Sequence, residues 1–258
     1  MKILINCKFA IISLIVALSP SIVSASDFID TQKSRSPITL GIRFGITNSK
    51  QGMNFDEIYS NTRKCHTEWG TGFDLGAVVN LNIRNFFSLQ PGFIFQNRSF
   101  DYTVISADYA TGSLSDKFGH TRYYYFQLPV MMCFNFDLSH DFRWSLEAGP
   151  YFGFGLGGDN KIESISSTVS STETGGTDKI EYINYKSDFF GDGDGRIVGI
   201  KKFDWGLKFG TGFTFRKHYY LGVHYSAGCK NVANDNDAFR KKPSAKNKQW
   251  SISVGYEF

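Results

Sequence analysis

Cysteine, charge of a single sign and long apolar runs are all scarce in this sequence, and each scarcity closes off a class of protein. Four cysteines in 258 residues are too few for a disulfide-held scaffold. They also lie too far apart for a thioredoxin-like or zinc arrangement. The 28 Lys and Arg residues nearly balance the 24 Asp and Glu, for a formal charge of +4. No sustained basic block gives a footprint for nucleic acid. Beyond the N-terminal stretch no segment approaches the run of about 18 apolar residues that a helical membrane span requires. Neither an HExxH pair nor a Gly-x-Ser-x-Gly elbow occurs.

What the sequence does have is aromatic side chains, 16% of the chain, together with 26 glycines. That mixture suits β structure with bulky groups on one face and close backbone approach on the other. Residues 1–25 read separately as a secretory signal. Lys2 and Lys8 precede an apolar core from Phe9 to Leu18, and Val23-Ser24-Ala25 offers a small-residue cleavage site. A mature chain from Ser26 would keep Cys65, Cys133 and Cys229, with residues 26–37 as a short N-terminal segment before the first strand.

From Ile38 a period of two takes over. Ile38, Leu40, Ile42, Phe44 and Ile46 alternate with Thr39, Gly41, Arg43, Gly45 and Thr47. Seven further stretches repeat the pattern: Phe73–Ile83, Phe87–Gln96, Arg122–Phe136, Phe142–Phe154, Phe203–Phe215, Tyr219–Ala227 and Trp250–Phe258. Pro91 is a local objection in the third of the eight, since proline lacks a ladder donor. The connections after the second, fourth and sixth strands are only a few residues. Those after the first, third, fifth and seventh are long, near 48–70, 103–121, 158–202 and 231–248. This alternation predicts an all-β, eight-stranded antiparallel up-and-down transmembrane barrel, with short periplasmic turns, long extracellular loops and both termini periplasmic. A strand in hydrocarbon cannot leave its edge N–H and C=O groups without partners, so the sheet must close on itself.

On this reading the aromatic and aliphatic face meets lipid. The inward parity carries a polar network of Arg43, Asp74, Arg143, Glu147, Asp204, Lys208 and Glu257, whose mixed signs permit mutual pairing. The competing architecture is a water-soluble barrel or sandwich, or a lipocalin-like ligand binder; the repeated inward charges argue against an apolar cavity.

The segments Phe73-Asp74-Leu75-Gly76, Gln90-Pro91-Gly92-Phe93, Gln127-Leu128-Pro129-Val130, Glu147-Ala148-Gly149-Pro150-Tyr151 and Leu221-Gly222-Val223-His224-Tyr225-Ser226 resemble those of the outer-membrane β-barrel domain family common in Bacteroidota, which includes PorT-like proteins. The terminal run Trp250, Ile252, Val254, Tyr256 and Phe258 resembles the signal read by the barrel-assembly machinery. The resemblance implies an outer-membrane location and insertion by that machinery. It brings no catalytic residues and no cofactor. Expected partners are outer-membrane lipids and lipopolysaccharide, that machinery, and an unidentified extracellular or envelope protein; the barrel itself is expected to be monomeric.

Candidate chemistry is sparse. Asp188, Asp192 and Asp194 in a Gly-Asp-Gly-Asp-Gly setting are weak candidates for a hard cation such as calcium, although the spacing of an EF-hand is absent. His66, His120, His224 and Ser226 would have to converge to make a barrel hydrolase. Cys65 and Cys229 are placed for a single bridge. The Ser- and Thr-rich third loop, with a short hairpin near Ile180–Tyr185, is the main candidate for recognition. The main role that follows is a structural envelope barrel; the alternatives are a surface-recognition or adhesion module acting through its loops, a secretion-apparatus component, and an outer-membrane lipid hydrolase.

Overall fold

A computed structural model describes residues 28–54, 62–108, 113–169, 178–190, 199–234 and 242–258. The N-terminal 25 residues read as a signal lie outside the described residues. Nine antiparallel strands account for most of the rest: β1 (Ile38–Asn54), β2 (Thr62–Arg84), β3 (Phe87–Asp108), β4 (Ser113–Ser139), β5 (Phe142–Val169), β6 (Asp178–Asp188), β7 (Phe203–Phe215), β8 (Tyr219–Gly228) and β9 (Ser244–Glu257). Among the described residues no helix is long and apolar enough to cross a membrane, which says nothing of spans made by strands.

Strand pairing follows the chain. β1 pairs β2, β2 pairs β3, β3 pairs β4 and β4 pairs β5. β5 then pairs β7, β7 pairs β8, β8 pairs β9, and β9 pairs β1, with Phe44 opposite Val254. Each of these eight strands therefore has a partner on both sides. The ninth, β6, pairs only with the far half of β5, from Asp159 opposite Asp188 to Val169 opposite Asp178.

The turns are short because their residues suit them. Within the three-residue connection 216–218, Arg216 and Lys217 hold φ of 50° and 63°, the left-handed conformation of the tight turns that join hairpin strands. The turn closes with the His218 N–H donating to Phe215 O at 3.1 Å. Pro91 is accommodated because the ladder to β2 lapses between Gly92 and Leu89, while Pro91 still lies opposite Val130 on β4. Residues 28–37 lie against the turn between β2 and β3. Phe86 and Asn85 donate from their backbone N–H groups to Asp30 O and Gln32 O, both at 3.0 Å, and Phe28 stacks on Phe136.

The long connections differ from the sequence expectation. Much of 48–70, 103–121 and 158–202, and the end of 231–248 from Ser244, is strand: β3 and β4 continue in register from Phe100 opposite Thr121 out to Asp108 opposite Ser113. Periodicity read from apolar residues stops where the outer face turns polar, but the backbone ladder does not. The register shifts at Trp69/Phe73 and Tyr124/Tyr125 fall where the sheet leaves the apolar band, as expected of bulges that bend and twist a strand.

Burial inverts the usual rule. Along β1 the residues alternate exposed and buried from Leu40 to Thr47, and the exposed set is Leu40, Ile42, Phe44 and Ile46. The buried set across the sheet is polar, including Arg43, Asp74, Gln96, Arg98, Glu147, Asp204 and Lys208. In water such an exposed face would be a large apolar patch seeking cover; hydrocarbon supplies that cover.

Candidate functional site

The enclosed side is layered from the end carrying the short turns, the turn end, to the end carrying the long connections, the loop end. Nearest the turns, Arg43 Nη2 donates to Glu257 Oε1 at 2.5 Å, joining β1 to the last strand. The same guanidinium lies 3.8 Å from the centre of the Tyr220 ring. Glu147 is the hub of the next layer. It accepts from Ser145 Oγ at 2.7 Å and Tyr220 OH at 3.0 Å, and pairs with His224 Nε2 at 2.8 Å. Glycine makes room for this group: a Cβ on Gly212 would meet Glu147 Oε1 at 2.6 Å, and one on Gly222 would meet Tyr220 OH at 2.3 Å. A polar cavity of about 840 Å³ reaches this layer from the turn end, lined among others by Asn80, Gln90, Asn135, Arg143 and Glu147.

The middle layer is a continuous polar web. Gln51 donates to Asn247 at 3.1 Å, Asn247 to Asp204 at 2.9 Å, and Tyr151 OH to the same Asp204 oxygen at 3.1 Å. Arg98 donates twice to Gln96 Oε1, at 3.0 and 2.6 Å, and sits over the Tyr125 ring. Lys208 and Asp74 share this enclosed space as electrostatic partners without a contact ion pair. Arg143 pairs instead with Asp137 at 2.7 Å, beside the turn.

Toward the loop end the polar layers give way to aromatic ones. Phe100, Tyr123 and Tyr125 pack with Phe189, Phe190, Ile200, Val232, Ala233 and Ala245. The Tyr123 and Phe189 rings stack with centroids 4.3 Å apart. Two connecting segments deliver these groups, held together by a bridge between Ile200 and Ala233. They fold over the side where β7 and β8 are short, and stopper the enclosed space.

Of the residues expected in the inward network, Arg43, Asp74, Glu147, Asp204 and Lys208 are buried, whereas Arg143 and Glu257 near the turn end are only partly so, and the seven fall in three groups instead of one. Sequence reasoning missed Arg98, Tyr123, Tyr125, Tyr220 and the pairing role of His224. Their parity was readable by extending the alternation of the third, fourth and seventh strands. Phe189, Phe190 and Val232 lie in connections and had no periodic signal. His66, His120 and His224 do not converge. His66 and His120 are exposed beside Glu68 and Asp101, whereas His224 is buried on Glu147, and Ser226 is buried on β8. Cys65, Cys133 and Cys229 carry no disulfide, so the Cys65–Cys229 bridge is not formed. Asp188 is exposed at the end of β6; Asp192 and Asp194 lie outside the described residues. Among the described residues no group of three or more His, Cys, Asp or Glu side chains could hold a metal ion.

Beyond the apolar band, β2 to β6 continue as a projecting sheet. Its outer face carries rows running across the strands, among them Lys186, Lys161, His120 and Asp101, then Tyr182, Ile165, Asp116 and Ile105. Among the described residues the far edge of β6 is unpaired.

An antiparallel sheet with an apolar exterior, a polar and filled interior and ordered short turns defines an integral membrane β protein of the outer-membrane type. The chain belongs to the family described as the outer membrane protein beta-barrel domain, whose sequence profile matches residues 31–234. No curated protein matches the sequence. Among solved structures it is similar to Ail, the attachment invasion locus protein of Yersinia pestis, in complex with the heparin analogue sucrose octasulfate. The identity is 16% over 86% of this chain and 99% of that one, with a TM-score of 0.34. OprG from Pseudomonas aeruginosa is 12% identical over 89% and 99%, with a TM-score of 0.36. Neisserial surface protein A is 11% identical over 85% and 97%, with a TM-score of 0.32.

Proposed function

We propose that the chain is an exported, monomeric, closed eight-stranded outer-membrane barrel that acts by presenting its projecting sheet to a partner outside the cell. In this orientation the short turns and both termini are periplasmic, residues 1–25 direct export, and the run from Trp250 to Phe258 is read by the barrel-assembly machinery. The quoted motifs support a narrower placement near the PorT-like barrels of Bacteroidota.

The observation that carries the recognition role is the edge of β6. An open row of backbone donors and acceptors is a ready template for an added strand, and proteins normally blunt such edges. Here the edge strand keeps Tyr182 72% exposed and Ile180 57% exposed. Conduction is disfavoured because an eight-stranded barrel is narrow and this one is filled by side chains from Glu147 to Phe189.

A photo-reactive residue at position 182, activated on intact cells, tests the role. A cross-linked partner that disappears when Ile183→Pro interrupts the edge, with envelope integrity unchanged, is the expected result. An unchanged cross-link pattern, combined with detergent sensitivity when the protein is deleted, would assign it to envelope structure instead.

A further inference from the structure

The projecting sheet intermingles acidic and basic side chains on its outer face, whereas the opposite rim, among the described residues, shows basic ones alone. On the sheet, Lys186 pairs with Asp159 at 2.9 Å and His120 with Asp101 at 2.5 Å. On the opposite rim, at the loop ends of β1, β9, β8 and β7, six lysines form no ion pair among the described residues: Lys50, Lys201, Lys202, Lys230, Lys246 and Lys248. Among the described residues no Asp or Glu lies on that outer face; Asp204, the nearest in sequence, is buried on the enclosed side.

The lysines are arranged on the backbone rather than scattered. Lys50 and Lys248 lie directly opposite each other on β1 and β9, and Lys246 is opposite the adjacent Gly52. Lys248 also faces Ala227 on β8. Lys230 Nζ lies 4.4 Å from the Phe203 ring at the start of β7, and the Lys201 N–H donates to Val232 O at 2.7 Å. From β1 to β7 the group crosses three strand spacings, about 15 Å. Like charges facing across a ladder are destabilising unless a counter-ion sits between them.

Their position says where that counter-ion comes from. Lys248 follows the same outward parity as Trp250, Ile252 and Val254, and Lys201 the same parity as Phe203 and Trp205. The ammonium groups thus begin one row beyond the last apolar residues, on the side facing lipid and not the enclosed space. A ligand here would lay hydrocarbon on the apolar band and anionic groups on the lysines. We propose that this rim binds the phosphate groups of an outer-leaflet glycolipid of the lipopolysaccharide type, seated across β1, β9, β8 and β7.

The site rests on the orientation proposed above, and two measurements keep the failures apart. Exposed Cys229 lies on this rim, so a membrane-impermeant maleimide should label it on intact cells. Failure to label overturns the orientation and the site with it. The mature protein in detergent is then titrated with lipid A and with dephosphorylated lipid A, followed by native mass spectrometry. Wild type should prefer the phosphorylated form. K50Q/K246Q/K248Q should weaken that binding at least tenfold, since each lysine near an anionic surface is worth about fivefold, and the preference should shrink as salt is raised. K64Q/K161Q on the projecting sheet should bind as wild type does. Heat-shifted electrophoretic mobility checks that each variant is folded. Equal binding of the two lipid forms, or an unaffected triple variant, would overturn the proposal. So would patch-dependent binding of a soluble sulfated polysaccharide without binding of lipid A.

Discussion

The two walls of this sheet are made by one period-two pattern yet differ more than twofold in height. β4 and β5 run for 27 and 28 residues, whereas β7 and β8 stop after 13 and 10. A tilted strand needs only about 9 to 11 residues to cross the hydrocarbon. The short wall is therefore almost entirely span, and the tall wall is span plus a projecting sheet of similar length. Outer-face chemistry marks the boundary: Tyr124 and Leu156 end the apolar band, and Arg122 and Asp159 begin the charged rows. What the difference teaches is that hydrogen bonding sets strand length, while the solvent on each side sets which residues the strand displays.

The sharpest way to break that division is to place a charge on either side of it. Leu207→Arg or Val254→Arg, both outward on the short wall, should cost roughly 2 to 4 kcal/mol at the membrane midplane. Phe118→Arg on the projecting sheet should stay within about 0.5 kcal/mol. Urea unfolding in lipid vesicles measures all three, and an equal cost for Phe118→Arg would mean that the apolar band extends onto the sheet. A second contrast sets an enclosed, hydrogen-bonded carboxylate against an exposed ion pair. Glu147→Ala strips His224, Tyr220 and Ser145 of their shared acceptor and should destabilise by about 3 kcal/mol. Lys186→Ala removes a half-exposed pair with Asp159 and should cost less than about 1 kcal/mol. The same unfolding measurement separates them, and equal effects would show that Glu147 is not a hub.

The smallest expected effect lies at the turn end. Asp30 is held below the usual carboxylate range, first by the Gln32 N–H and then by the Asn85 side chain. A lowered folded pKa means that this contribution is present above the ordinary Asp value and is lost as pH falls through the folded one. Hydrogen exchange of residues 28–37 should therefore rise only below the ordinary Asp range in wild type, and should be raised at neutral pH in Asp30→Ala. A pH-independent exchange rate would remove Asp30 from the anchoring of this segment.

Much of the fold was legible because lipid enforces alternation. The parity of Ile38 to Ile46 and of Trp250 to Phe258 and the three short turns could be read from residue type, whereas Ile180 to Tyr185, expected as a short hairpin, lies within the single strand β6. What could not be read has a physical cause. Beyond Arg122 the outer face meets water, so apolar alternation no longer marks β4 even though its ladder continues. Small and charged groups were expected to fill the interior, but tyrosines fill much of it. The inward glycines at 212 and 222 leave the volume that Tyr220 occupies. Phe189, Phe190 and Val232 reach the stopper from connecting segments, where packing follows no period.

One contact from the innermost layer bears on how the molecule is made. Arg43 and Glu257 are separated by 214 positions in the chain, and the ladder between β1 and β9 that surrounds them unites the beginning of the sheet with its end. That seam can form only once the C-terminal residues are present, and until then two borders of the sheet stand open. Loop-closure entropy makes such distant zippering slow.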